Sequence, residues 1–224
     1  MAKDDIVSFV FRDPVSAGTH LLWCVLGLFI TALLWRLSRG DRVRQLSTGM
    51  FGLSMVLLYG ASGAYHAVPR ETPQLMAYLR LLDHSAIYVL IAGTYTPVFA
   101  VLLRGRLRVV LLTMIWALAG VGIAAKWLLP WPPYGLTVAL YILMGWVGIF
   151  PIWQLIRAVG VRGMAWGLLG GLFYTFGGVC DALSWPVLLP GVIGYHEVLH
   201  LADMGGTLIH VFFIVRYVLP FQRC

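Results

Sequence analysis

Long apolar segments recur along the whole sequence and restrict its fold more than any other feature. Each is about 20 residues long, which is the length that an α-helix needs to cross a bilayer. They fall near residues 15–37, 46–68, 79–103, 107–126, 135–157, 164–189 and 196–219. Because lipid offers the backbone no hydrogen-bond partner, each segment is predicted to be a helix. The sequence therefore predicts an all-α integral membrane protein, a seven-transmembrane helix bundle forming a single domain over residues 1–224.

The composition agrees with this class. Hydrophobic residues make up 60% of the 224 and charged residues only 11%, with a mean hydropathy of +0.87. A soluble domain would carry about 25% charged residues. The net charge of +7 is therefore interpreted as topology information, and no nucleic-acid partner is expected. Cys24, Cys180 and Cys224 lack CxxC spacing, which argues against a cysteine zinc site or a disulfide framework.

The basic residues predict an orientation. With seven spans the two termini lie on opposite sides of the membrane, and side A denotes the side of the N-terminus. Side A receives 5 of the 16 lysines and arginines, and side B receives the rest. Those on side A are Lys3, Arg12, Arg70, Arg80 and Lys126. The positive-inside rule then predicts a multi-pass protein of the cell (inner) membrane with a cytoplasmic C-terminus.

Ionisable side chains inside the apolar segments converge on side A. Such groups are costly in lipid and by default indicate function. The predicted topology brings the end of the second segment, the start of the third, the end of the sixth and the start of the seventh to this level. The ionisable side chains at this level are those of His66, Asp83, Asp181, His196, His200 and Asp203. The sequence therefore predicts a buried site near one face of the bundle.

The spacing of these residues indicates a metal site. His196 and His200 are four residues apart, so their imidazoles share one helix face about 6 Å apart. Two such nitrogens can bind one zinc ion, and His66 has the right depth to supply a third. Ser62 shares a helix face with His66, and Asp83 is placed to hold a water or accept its proton. Three histidines with one open position are typical of catalytic zinc.

The stretch His196-Glu197-Val198-Leu199-His200 also fits the literal HExxH motif of zinc proteases. In those enzymes the glutamate polarises the attacking water. Glu197 lies about 100° around the helix from His196, which favours an interfacial or second-shell position over a catalytic one. An intramembrane protease of the site-2 type would need an aspartate ligand in a later apolar segment, and none follows the seventh.

Four motifs in order carry a family resemblance: "SGAYH" (62–66), "LLDHSAIYVLIAGTYTP" (81–97), "GGLFYTFGG" (170–178) and "HEVLHL" (196–201). From about residue 14 to 219 the chain resembles the hemolysin III branch of the progestin and adipoQ receptor family. The wider superfamily includes the alkaline ceramidases. The resemblance implies zinc held by His66, His196 and His200, with Asp83 and Ser62 beside it. It also implies a cytoplasmic N-terminus, against the charge bias.

The remaining polar residues have alternative interpretations. His84 either packs between helices or lies in the second shell of the metal. Asp203 either orients an imidazole or pairs with another buried group, and the role of Asp181 is left open. His20 is expected at the membrane interface. His210 is expected to be a helix-packing hydrogen-bond donor, because it lies about 15 Å from His200 along the axis.

Three functions are weighed. The favoured one is a zinc-dependent hydrolase of a lipid amide or ester, with a membrane lipid as its partner and zinc as its cofactor. The second is a receptor-like or membrane-homeostasis protein with structural zinc. The third is a pore-forming cytolysin, which would need a soluble form that so apolar a chain does not offer. The oligomeric state stays open, a homo-oligomer included.

Overall fold

A computed structural model describes residues 11–129 and 133–222, so that Lys3, Arg223 and Cys224 lie outside the described residues. Seven α-helices account for most of the described chain. They are α1 (Pro14–Leu37), α2 (Arg42–Ala67), α3 (Pro73–Leu102), α4 (Gly105–Leu128), α5 (Tyr134–Gly145), α6 (Ile152–Ala182) and α7 (Tyr195–Phe213). A short 3-10 helix, Val147–Ile149, follows α5, and a π-helical turn, Ile214–Val218, continues α7. The described residues contain no β-strand beyond one isolated bridge between Leu189 and Ile193.

Six of these helices are long and apolar enough to cross a membrane. They are α1 to α4, α6, and α7 with its π-helical turn, whereas α5 and its 3-10 extension are shorter. Large apolar side chains project outward, with Phe29 69% exposed and Phe150 77% exposed. A water-soluble monomer rarely exposes so much apolar surface. The prediction of an all-helical, multi-pass membrane protein is therefore confirmed, and within the described part of the chain six helices rather than seven have spanning length.

The largest departure from the predicted segments lies between Tyr134 and Ala182. The segment predicted at 135–157 is divided, because α5 ends at Gly145 and α6 begins at Ile152, directly after Pro151. Proline has no amide hydrogen, so it suits the position just before a new helix. The break predicted around residues 157–163 is confined to Gly160, whose φ of 72° and ψ of 169° interrupt the helix. The segment predicted to reach residue 189 ends at Ala182.

Helix ends are fixed by local chemistry. The Asp41 carboxylate accepts hydrogen bonds from the backbone amides of Val43 and Arg44, at 2.9 and 3.2 Å, and caps α2. Pro14 and Pro73 occupy the first positions of α1 and α3, where a missing amide hydrogen costs nothing. The most deeply buried surfaces belong to α2 and α3, around Phe51, Met55, Tyr59, Phe99 and Val101.

Contacts between helix ends bring several elements to one level. The backbone amide of Asp13, just before α1, donates to the carbonyl of His66 at the end of α2, at 3.1 Å. Lys126 near the end of α4 donates to Thr137 in α5 at 3.1 Å. Tyr134 at the start of α5 donates to Asp181 at the end of α6. Polar side chains from these ends therefore meet in one layer, as the topology predicted for side A.

Candidate metal centre

Three histidines from two helices form a compact cluster in this layer. His66 lies in the last turn of α2, and His196 and His200 lie in the first two turns of α7. One nitrogen from each ring can be chosen so that all three lie within 4.8 Å of one another. The Nε2 atoms of His66 and His196 are 3.2 Å apart. The predicted set is thus brought together in the structure, at a spacing that suits a single cation.

Capping interactions fix the start of α7 and therefore the two histidines on it. The backbone amide of Gly194 donates to Oε2 of Glu197 at 2.9 Å. The hydroxyl of Ser16 on α1 donates to Oε1 of the same carboxylate at 2.9 Å. Glu197 thus satisfies the N-cap amide from the first turn of α7 and ties α7 to α1. Both carboxylate oxygens of Glu197 make contacts within and between helices, and the interfacial or second-shell role expected for this glutamate of the HExxH stretch stays a prediction.

Two carboxylates contact the Nδ1 atoms of two of the imidazoles and so orient these rings. Nδ1 of His66 lies 3.0 Å from Oδ2 of Asp13, and Nδ1 of His196 lies 2.9 Å from Oδ1 of Asp181. When Nδ1 donates its hydrogen to a carboxylate, Nε2 keeps its lone pair free. Both Nε2 lone pairs then point into the same space, where they repel each other unless a proton or cation lies between them. The donor set therefore fits a metal ion.

The surroundings of Asp13 favour its ionised form. The hydrogen bond from His66 lowers the pKa of Asp13 to about 2, against the opposing effect of burial and with help from Arg12. Nε of Arg12 lies 2.9 Å from the same carboxylate oxygen, and its guanidinium packs over the ring of Tyr65. Asp13 is not among the predicted site residues, because it precedes the first apolar segment. Its place directly before Pro14, at the level of side A, was the available signal.

Ser62 and Asp83 lie beside the cluster on the walls of one cavity. Ser62 lies one turn before His66 on α2. Asp83 lies in the third turn of α3. Both side chains are buried, and the Asp83 carboxylate interacts with the Ser62 hydroxyl. His196 and His200 line the same cavity. The predicted serine and aspartate are therefore brought to the histidines.

His84 and Asp203 occupy different parts of the cavity wall. Nζ of Lys126 lies 3.4 Å from Nδ1 of His84, at the level of the start of α5. Asp203, one turn after His200, interacts with the hydroxyl of Tyr59. That hydroxyl also bonds to Thr207 at 2.7 Å. Asp203 thus pairs with a tyrosine on α2, which is one of the alternatives that the sequence left open.

Asp181 and His20 complete the surroundings of the histidines. Asp181, whose role the sequence did not predict, lies against His196 and also accepts from Tyr134. The expectation that His20 lies at the membrane interface is wrong. His20 is only 3% exposed, and its ring stacks on that of His200 with a centroid distance of 3.8 Å. Helix packing rotates this face of α1 inward, and hydropathy alone carries no signal for that rotation.

The cavity extends away from the histidines along α7. It has a volume of about 210 Å³ and reaches Phe213 and Leu155 at its far end. Between these ends its walls are mostly aliphatic and aromatic, including Leu58, Ile87, Ile91 and Leu168. His210 lines the wall as well, and its Nδ1 donates to the carbonyl of Gly206, four residues earlier on the same helix, at 2.8 Å. The cavity therefore joins a polar end at the cluster to a long apolar interior.

Comparison with known proteins matches the sequence to one family. The haemolysin-III related family matches residues 10–211. The chain belongs to that family. It is 33% identical to Hemolysin-3 of Bacillus cereus over 96% of this chain and 95% of that protein. It is 29% identical to a Hemolysin-3 homolog of Bacillus subtilis (strain 168), over 93% of this chain and 96% of that protein.

The chain is also similar to part of a protein described as a receptor. An adiponectin receptor protein of Drosophila melanogaster is 23% identical over 90% of this chain and 50% of that protein. The family match spans α1 to most of α7, so it includes every residue of the histidine cluster. The resemblance predicted from the four sequence motifs is therefore confirmed.

Proposed function

We propose that the protein is a zinc-dependent hydrolase that cleaves an amide or ester bond of a membrane lipid. The observation that carries the proposal is one cavity with the histidine cluster, Asp83 and Ser62 at its polar end and an apolar interior beyond. A lipid fits such a space, with its carbonyl at the polar end and a chain between the helices.

The donor set supports zinc as the cation. His66, His196 and His200 would hold it through imidazole nitrogens, and three protein ligands are typical of a catalytic zinc site with one open position. Imidazole is a ligand suited to zinc, and carboxylates behind the rings are the usual second shell. Bound there, zinc supplies a Lewis acid that polarises a carbonyl and lowers the pKa of water.

Asp83 and Ser62 would carry the proton and hydrogen-bonding chemistry. The Asp83 carboxylate accepts a proton from the attacking water and passes it to the leaving nitrogen or oxygen. The Ser62 hydroxyl holds Asp83 in place or donates to the carbonyl oxygen of the substrate. Both side chains are on the cavity wall, and both are buried, so bulk water does not compete for these contacts.

The apolar interior supports a lipid as substrate. From His200 to Phe213 the cavity follows α7 for about 20 Å at 1.5 Å per residue, which matches an extended acyl chain of considerable length. Aliphatic walls bury such a chain and leave its polar end at the histidines.

We also propose that α5 is a seventh membrane crossing. Tyr134 at its start contacts Asp181 in the layer of the metal centre. The carbonyl of Gly145 at its end accepts from Tyr95, which lies twelve residues beyond Asp83 on α3 and so about 18 Å deeper. With the 3-10 turn that follows, α5 then runs through most of the bilayer, although it is shorter than the other helices.

A receptor-like function is the second candidate, favoured by the way the cluster connects helices. His66 and His196 with Asp13 and Asp181 link the start of α1 and the ends of α2 and α6 to α7. A cation at such a junction would stabilise one helix arrangement, which is what a structural metal in a receptor does.

A lipid-release assay separates the two. Purified protein with bound zinc is incubated with ceramides and phospholipids, and free fatty acid is measured. We expect release from the wild type and a loss of about 100-fold or more in Asp83→Asn, with zinc content retained, because the proton acceptor is removed. Ser85→Ala is the matched control, since Ser85 is buried on the same helix and its hydroxyl donates to the Leu81 carbonyl.

Two outcomes would contradict the proposal. Release of fatty acid from no lipid by a zinc-loaded wild type would favour the receptor-like function. Zinc at about one equivalent in each of His66→Ala, His196→Ala and His200→Ala would remove the metal assignment itself.

A further inference from the structure

A polar pocket lies at the end of the bundle opposite the metal centre. Its walls are formed by Asp41, Arg44, Arg108 and Gln222. These residues belong to the start of α2, the first turn of α4 and the chain that follows the π-helical turn of α7. Three parts of the chain that are far apart in sequence therefore form one depression between helix ends, which we call the basic pocket.

Positive charge dominates the surroundings of the basic pocket. The sequence supplies one acidic residue in the turns at this end, Asp41, and its carboxylate caps α2. The N-cap residue of α4 makes no side-chain cap, so the amides of the first turn of α4 add positive potential. The same two turns and helix starts contain the arginines Arg39, Arg42, Arg44, Arg104, Arg106 and Arg108. An anion is therefore the ligand that this end of the bundle favours.

Contacts within the protein hold the guanidinium of Arg44 at the pocket wall. Its Nε lies 3.4 Å from Oδ2 of Asp41, and its Nη2 donates to the carbonyl of Phe221. The side chain of Arg44 is nevertheless 23% exposed. A guanidinium has five N–H groups in one plane and is suited to the oxygens of a phosphate. Because Arg44 is already held, binding an oxyanion costs it little conformational freedom.

The surface beside the two arginines is apolar, which favours a lipid phosphate over a soluble one. The exposed apolar side chains next to Arg44 and Arg108 in the chain are Val43, Leu46, Val109 and Val110. Trp35, near the end of α1, is exposed as well, and tryptophan is typical of the level at which headgroups meet acyl chains. A phospholipid can cover these side chains with its acyl chains while its phosphate contacts the arginines.

We propose that the basic pocket binds the phosphate of an anionic phospholipid through Arg44 and Arg108, with the acyl chains against α2 and α4. Basic pockets between the ends of membrane helices are suited to such headgroups. Arg44 also holds Phe221, so a lipid bound there would connect the start of α2 to the end of the segment that continues α7. Those two helices carry the three histidines at their other ends. This binding requires neither the metal nor hydrolysis of a lipid.

The test compares two lipids and three variants. Fluorescent phosphatidylglycerol and phosphatidylcholine with the same acyl chains are titrated into the purified full chain in neutral detergent at low salt. We expect the wild type to bind phosphatidylglycerol about 10-fold more tightly, with a preference that declines as salt screens the charges. We expect Arg108→Gln to bind phosphatidylglycerol about fivefold more weakly and phosphatidylcholine as before, and Arg108→Lys to keep most of the preference. Arg70→Gln is the matched control, because it removes the same charge from an exposed turn at the opposite end.

Several outcomes would overturn the inference. A wild type that binds the two lipids equally at low salt would do so, even if no variant folds. So would equal losses in Arg108→Gln and Arg70→Gln, since these would report net charge rather than a site. Inorganic phosphate and a short-chain, water-soluble phosphatidylglycerol are also added as competitors at the same ionic strength. Displacement by the short-chain lipid alone supports a lipid site, whereas equal displacement by inorganic phosphate contradicts the assignment to a lipid.

Discussion

At the scale of single residues, the carboxylates that contact the histidines indicate a metal site as strongly as the histidines themselves do. Asp13 and Asp181 reach the cluster from the start of α1 and the end of α6. Each contacts an Nδ1 atom and so selects the tautomer whose Nε2 can bind a cation. His200 has no such carboxylate, because its Nδ1 is buried without a partner among the described residues and its ring is held by stacking on His20.

Removing the negative charge from either carboxylate is expected to weaken metal binding. We predict that Asp13→Asn and Asp181→Asn each lower zinc affinity by about 10- to 100-fold, because the imidazoles lose basicity and a fixed orientation. Competition with a chromogenic chelator measures this affinity. Asp41→Asn is the control, since Asp41 caps the distant start of α2 and asparagine caps equally well. Affinities that stay within twofold of the wild type in both variants would show that these contacts do not tune the site.

Sequence reasoning found the residues of the site that stand out against an apolar background. His66, Asp83, His196 and His200 interrupt apolar segments, and Ser62 follows from helical spacing. Asp13 could not be found in this way, because a charged residue before the first segment is unremarkable. The inward rotation of His20 depends on how α1 packs on α2 and α7, and the rather uniform hydrophobicity of α1 does not encode that rotation.

At the scale of elements, close packing between α6 and α7 positions the two α7 histidines. A Cβ atom added to Gly177 would lie 2.9 Å from the Ala202 Cβ and 3.2 Å from the Leu199 Cα. Because Leu199 directly precedes His200, the contact between these helices sets the position of the cluster. Small residues at such contacts are typical of membrane helices.

Gly177→Ala is expected to push α7 away from α6. We predict a loss of about 1–3 kcal/mol in stability, as for other overpacked positions, together with weaker zinc binding. Thermal unfolding in detergent and the chelator competition measure the two effects. Gly171→Ala on the same helix is the matched control, because nothing lies within 4 Å of its added Cβ atom. Equal behaviour of the two variants would mean that this packing contact does not position the cluster.

The elements that sequence reasoning misplaced lie where hydropathy stays high across a break. Residues between Tyr134 and Gly160 contain only one charged side chain, Arg157, so the composition gives no boundary. In the structure α6 begins directly after Pro151 and is interrupted at Gly160. A residue with φ of 72° and ψ of 169° is in a region accessible essentially to glycine alone. Backbone geometry therefore divides this part of the chain, whereas charged residues mark the turns between α1 and α2, α2 and α3, and α3 and α4.

At the scale of the whole molecule, the metal centre lies in one polar layer at an end of the bundle. The start of α1, the end of α2, the start of α7 and the end of α6 all contribute to it. The opposite end has most of the basic residues, including Arg36, Arg39, Arg42 and Arg44 around the turn between α1 and α2. Lys126 at the metal end is bound to Thr137 and lies beside His84, so it is partly withdrawn from the membrane surface.

The distribution of charge therefore predicts that the metal centre faces the outside and the C-terminus the cytoplasm. A green fluorescent protein fused to the C-terminus should fluoresce, and an alkaline phosphatase fused there should be inactive, because each folds on only one side of the membrane. Fusions after residue 70, in the turn between α2 and α3, should give the opposite pair of results and serve as the internal control. The reverse pattern at both positions would place the N-terminus inside, as the receptor resemblance implies, and would bring the centre to the cytoplasmic leaflet. Lipid substrates would then have to come from that leaflet, so the orientation decides which pool of lipid the cavity meets.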